Sequence, residues 1–262
     1  PAEGLRPLPR RRRTRHRMSF DLPADSIIPL RDLKIVLDEG PHPFELQNLP
    51  AIEEFWAKTA AANPALFDGR VALLARLSLR NGLLDGRCHL VRYATFLYWR
   101  SLRPIPHAGH AYASAMLVSS DNALIAARMG LKTANPGKVY FASGTFDASD
   151  FREGYVDPLA NMHREVKEET GLELDGTPRE PRYHLLSKVS GTVLFRRYFL
   201  DRTAEEIEEA IRDHVASEEE PEIEGPVVIR SANGVPDNMA DHMHELVRWH
   251  FATPADVSSL VT

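Results

Sequence analysis

Three carboxylates, Glu165, Glu168 and Glu169, stand at i, i+3 and i+4 in the run Met162-His163-Arg164-Glu165-Val166-Lys167-Glu168-Glu169-Thr170-Gly171-Leu172. On a helix they would share one face, with neighbouring Cβ atoms about 5–6 Å apart. Like charges at that spacing repel and call for a positive partner. A hard divalent cation that takes oxygen ligands, such as Mg²⁺, supplies one. The alternative is a solvated charged face, the usual fate of charge runs on helices.

The residues around the acids specify the helix that would carry them. Asp157 is a good N-cap, and Pro158 fits the first helical position, where its missing N–H is no loss. Gly171 follows the last turn, where a left-handed residue is wanted. Leu159, Met162 and Val166 recur at helical intervals and predict a core-facing stripe. The acids would therefore ride on a rigid element of about three to four turns.

The string from Arg164 to Leu172 resembles the second half of the Nudix box, Arg-Glu-apolar-x-Glu-Glu-x-Gly-apolar. Arg164, Glu165, Val166, Glu168, Glu169, Gly171 and Leu172 fill every specified position. The first half departs from the family. Gly144 resembles the opening glycine, but it lies twenty residues before Arg164 where the family has fourteen, an insertion of six. Val156 stands where the family places a glutamate, eight residues before the arginine. Asp157, one position later, is either a stand-in for that glutamate or simply the helix cap.

The resemblance implies an enzyme that cuts a phosphoanhydride in a nucleoside diphosphate derivative, with Mg²⁺, or Mn²⁺ in its place. It implies that Glu168 and Glu169 ligate metal, and that Glu165 holds metal or orients the attacking water. Arg164 would pair with a carboxylate such as Glu165, and the backbone of Ser143 or Gly144 would offer a carbonyl. A further ligand is expected from the acidic stretch 218–224. Glu220 or Glu222 is favoured there because Pro221 holds its neighbour extended. Arg128 and Lys138 flank the loop before the helix and could reach a diphosphate. Of Arg196 and Arg197, adjacent on an expected strand, at most one can face the site. The alternative function is a Nudix-fold sensor that binds a nucleotide without turnover, although such sensors usually lose box carboxylates that this chain keeps.

The chain has 262 residues, 43% hydrophobic and 26% charged, which is ordinary for a globular protein. No apolar run approaches the roughly 18–20 residues that cross a bilayer, so no membrane partner is expected. A single cysteine, Cys88, excludes an internal disulfide and a cysteine zinc site, and suits a reducing, cytoplasmic setting. The first seventeen residues hold seven arginines and one acid, which leaves 25 basic and 36 acidic residues, a net charge of −11, in the rest. Residues 1–17 are read as upstream sequence or a disordered basic tail, with a transit peptide or nucleic-acid arm as the alternative. The acidic body argues against nucleic acid as the main partner and for a small-molecule nucleotide.

Hydrophobic patterning divides the remainder into an extension, 18–110, and a domain, 111–262. Expected in the extension are a helix over 50–62 and strands over 71–79 and 88–99. Turn signals at Asn81-Gly82 and Asp85-Gly86 would join those strands into a hairpin, which offers a homodimer surface. The stretch 103–110 reads as a linker. Beyond it, strands are expected over 113–118, 123–128, 139–141, 184–189, 192–200 and 227–230, with an acidic helix over 204–217 and a closing helix over 239–251. The order predicts an α+β fold. The resemblance makes it a Nudix-type α/β/α sandwich with a mixed sheet and an N-terminal, hairpin-containing extension. The link Asn63-Pro64-Ala65-Leu66-Phe67-Asp68-Gly69 before two long strands is similar to the N-terminal part of some nucleotide-sugar-hydrolysing members.

Overall fold

The structure, a computed structural model, describes residues 20–133 and 135–262, so the expectation for 1–17 lies outside the described residues. Strands β1 (Phe20–Asp21), β2 (Ile27–Pro29) and β3 (Asp32–Leu37) precede helix α1 (Pro43–Ala62). Then come β4 (Arg70–Arg80), β5 (Leu83–Arg92), helix α2 (Tyr93–Leu102), β6 (Ala111–Val118) and β7 (Leu124–Met129). Four short strands follow: β8 (Val139–Tyr140), β9 (Ser143–Thr145), β10 (Phe151–Arg152) and β11 (Tyr155–Val156). The chain closes with α3 (Pro158–Thr170), β12 (His184–Lys188), β13 (Gly191–Phe199), α4 (Ala204–Ser217), β14 (Ile223–Ile229) and α5 (Asp241–Ala252).

The second half of the chain forms a mixed sheet in the order β14-β7-β6-β13-β12-β2, with β8 on β7 and β9 on β6. Strand β6 shows why helices cover both faces. Alternate side chains point to opposite sides of a strand. Ala113, Ala115 and Leu117 enter a core with Met162 and Val166 of α3 and Ile207 and Ile211 of α4. Met116 and Val118 enter a second core with Met243, Leu246 and Val247 of α5. This is the expected α/β/α sandwich.

The extension's strands β1-β4-β5-β3 build a second sheet, to which β11 and β10 add at the edge, and it shares the first core through Ile35, Leu77 and Leu84. Its hairpin turns at Asn81 (φ 50°) and Gly82 (φ 77°), the left-handed pair that a tight two-residue turn needs. Asp85 and Gly86, expected as a second turn, lie inside β5 opposite Ser78 and Leu77. A Cβ at Gly86 would come within 2.7 Å of Leu77 Cδ1, so this glycine serves packing rather than turning.

Residues 93–99, expected as strand, begin helix α2 instead. Asp68 starts it, its carboxylate accepting from the Ala94 N–H at 2.9 Å and from Arg92 Nε at 2.8 Å. Ala94, Thr95, Phe96 and Trp99 are buried. In so apolar a run, periodicity alone does not separate strand from buried helix. The two parts of the chain also exchange strands. Strand β2 extends the main sheet by pairing with β12, and β11 pairs with β3 of the extension. No helix among the described residues is long and apolar enough to cross a membrane.

Candidate metal centre and substrate cleft

Helix α3 is capped as its sequence requires. The Asp157 carboxylate accepts from the N–H groups of Leu159 and Ala160, both at 3.1 Å, and Gly171 ends the helix at φ 70°. Asp157 is thus the cap. Met162 and Val166 fill the core, and Glu165 and Glu169, on the same side, are buried with them. The Glu168 side chain is 54% exposed, so the three acids divide into two buried and one at the rim.

The acid that the resemblance calls for after Gly144 has a counterpart in Asp150, six residues on. It stands fourteen residues before Arg164, and the hairpin 151–156 accounts for six of them. The hairpin's ends meet, because the Asp157 N–H donates to the Asp150 carbonyl at 2.7 Å. Through that contact the spacing from Asp150 to Arg164 returns to the eight of the box. Val156 is part of the hairpin, buried at 5% exposure, and has no place among the acids. Counting forward from Gly144, rather than back from Arg164, was the signal for Asp150.

Asp150 is 1% exposed and fully engaged. Its Oδ2 accepts from Arg164 Nη2, Asn161 Nδ2 and the Asp147 N–H, each at 2.9 Å. Arg164 in turn reaches Glu165 Oε1 at 2.8 Å and Glu168 Oε2 at 2.9 Å. One guanidinium therefore braces three carboxylates, and their charges hold it firmly protonated.

One cation does not balance this cluster. Burial, only partly offset by Arg164, pushes the Glu165 carboxyl up to about 7, and Glu168, Asp150 and Glu222 push the same way. Burial raises Glu169 well above the usual carboxylate range, with Glu165 and Glu222 adding to it, against a hydrogen bond from the Ser143 peptide N–H. Gly144 is needed here for closeness: a Cβ would stand 1.7 Å from Glu165 Oε1. Among the described residues, no three acid, histidine or cysteine side chains already stand at metal-ligating spacing. The donor set nevertheless fits a hard divalent cation. It is all carboxylate oxygen, in excess over positive charge, with Glu169 forming no ion pair among the described residues.

The remaining expected site residues fall at different distances from this centre. Glu222 lies across a pit shared with Glu168 and Glu169. Glu220, at the rim of the same pit, is bound to Lys132 at 2.7 Å and is well exposed. Ser143 and Gly144 lie on β9, paired with Ser114 and Ala113 of β6. Arg128 leans toward Glu224 at 3.9 Å, and Lys138 is exposed immediately before β8. Arg197 is held by Glu180 at 2.6 Å, and the Arg196 guanidinium lies 3.5 Å from the centre of the Tyr183 ring. Neither joins the acids.

On the other side of β9 opens a cleft of about 730 Å³, lined by Ser143, Gly144, Thr145 and Glu169 and by aromatic and basic side chains. Its size suits a small organic ligand. Tyr93, Phe96, Arg100 and Arg103, of α2 and the residue after it, form one wall, which sequence reasoning did not place at the site.

No protein-family model and no curated protein matches this sequence. Solved structures are similar in the course of their chain. One is DR0079 from Deinococcus radiodurans, 15% identical, covering 70% of this chain and 99% of its own, with a TM-score of 0.41. A C. elegans Ap4A hydrolase is 14% identical over 54% of this chain and 96% of its own, with a TM-score of 0.39. A NUDIX hydrolase from Nitrosomonas europaea is 13% identical over 66% and 84%, with a TM-score of 0.36. The resemblance to Nudix hydrolases is carried by the residues from Arg164 to Leu172. Likenesses this distant say nothing of the chemistry, which rests on the residues above.

Proposed function

We propose that the protein is a metal-dependent hydrolase of a phosphoanhydride in a nucleoside diphosphate derivative, such as a nucleotide sugar. The observation that carries this is the pair of buried glutamates, Glu165 and Glu169, packed against Gly144 and braced by a single arginine. Glu168 and Glu169, with Glu222 across the pit, would hold a divalent cation. When bound, such an ion neutralises the diphosphate and lowers the pKa of an attacking water. Glu165, buried beside those ligands and paired with Arg164, would orient that water or take its proton. Arg164 sets the rotamer of Glu165, and Asp150 sets Arg164.

The test is turnover of a panel of nucleotide sugars, dinucleotides, coenzyme A and nucleoside triphosphates with Mg²⁺ or Mn²⁺, with the products identified. At least one compound should yield a phosphorylated product, and Glu169→Gln should lower kcat on it by about a thousandfold. A wild-type protein that cleaves none of them defeats the proposal. If it binds a nucleotide yet cleaves nothing, the protein is a sensor.

A further inference from the structure

The described part of this acidic chain places two cations in the cleft without a carboxylate to meet either. Arg100 donates to Asn135 Oδ1 at 2.6 Å, and Arg103 donates to the Ser190 carbonyl at 2.9 Å, both neutral acceptors. Each guanidinium has five N–H donors, so these bonds leave most of them for a ligand. Lys188 in the same cleft differs, since Asp25 at 2.6 Å and Glu245 both neutralise it. Arg103 is lowered from its ordinary value by burial and by the charge of Arg100, so the two guanidiniums share one neighbourhood. Arg100 lies on the last turn of α2 and Arg103 is the residue that ends it, and both line the same cleft.

The wall around them is aromatic. The rings of Tyr93 and Phe96 lie 5.9 Å apart and 20° from parallel, and His110 stacks on Tyr112 at 5.0 Å and 24°. Burial drives His110 down to about 3, so its ring adds surface and no charge. A paired positive charge beside flat apolar rings suits a ligand with two adjacent anionic groups and a ring.

We infer that helix α2 of the N-terminal extension is the substrate clamp: Arg100 and Arg103 bind the diphosphate of a nucleoside diphosphate derivative, and Tyr93 and Tyr112 receive a ring. This rests on the proposed hydrolase activity for its substrate class, but it assigns the recognition to a part of the chain outside the box. The extension is then half of the site.

Binding measured by calorimetry in EDTA, with UDP and ADP as probes, separates the clamp from the metal centre. Wild-type protein should bind at least one of them. Arg100→Gln keeps a donor for Asn135 and loses the charge; it and Arg103→Gln should each weaken binding about tenfold or more. Lys58→Ala, exposed on α1 and outside the lining of the cleft, should leave affinity unchanged. In turnover with Mg²⁺, both glutamine variants should raise KM while kcat changes little. The inference is overturned if wild type binds neither probe in EDTA, or if the double glutamine variant, melting at the wild-type temperature, binds as tightly and keeps its KM. Binding that depends on both arginines in a protein that cleaves nothing would retire the hydrolase and keep the clamp. Turnover with a KM indifferent to them would do the reverse.

Discussion

The two sides of strand β9 are opposites. On one, Glu165, Glu168 and Glu222 gather about Glu169 with Arg164 as their single brace. On the other, Arg100 and Arg103 stand among aromatic rings without an acid of their own. Acids crowd the first side, the two guanidiniums stand on the second, and Glu169 lines both. A polyanion and a divalent cation are complementary to such a pair only when taken together. The acidic side is written largely in one short helix, whereas the basic side depends on the chain folding α2 against Asn135, 35 residues later.

That contrast can be broken from either side. The largest effect is expected at Asp150. Asp150→Ala removes the anchor of Arg164 and strands the donors of Asn161 and Asp147 in the interior. Denaturant unfolding should show a loss of about 3 kcal/mol. A loss under 1 kcal/mol would mean that the brace holds without it. Next is Gly144→Ala, whose new methyl must displace the Glu165 carboxylate. A stability loss of about 1–3 kcal/mol is expected. Turnover should vanish while UDP or ADP affinity in EDTA stays within about twofold, because the cleft's arginines are not disturbed. Loss of both activities would show that the sides of β9 are not separable. The smallest effect is at Glu169. In EDTA, Glu169→Gln removes a buried like charge and should raise stability by about 1 kcal/mol, seen as a higher Tm. The same variant should lose the stabilisation that Mg²⁺ gives the wild type. A lower Tm in EDTA would show that the carboxylate helps the fold.

The legibility of the sequence follows the same division. The caps Asp157 and Gly171, the core stripe through Met162 and Val166, and the acid spacing were readable because a helix is a local object. The α+β order was readable from strands interleaved with helices, whereas the sandwich came from the resemblance of the box. Asp150 escaped because six intervening residues change the count along the chain and leave the contact in space unaltered. Helix α2 escaped because an apolar run beside a strand fits either period, and the decision was made by Asp68, some 25 residues away. Arg100 and Arg103 carry no motif at all. Their meaning comes from where α2 is placed, which the tertiary packing of Phe96 and Trp99 settles.

The hairpin of residues 151–156 has one more consequence. Its ends are pinned together at 2.7 Å, so from the standpoint of the active centre the chain is short-circuited there. Whatever hangs from a closed junction can lengthen or shrink at small entropic cost without moving what lies on either side. Here the pendant reaches the extension, where the Leu37 N–H bonds Gly154 at 2.9 Å. The acid-bearing segment has been opened at a neutral point and used as a tether, so that the part holding Arg100 and Arg103 and the part holding the acids are tied by the very residues that lengthen it.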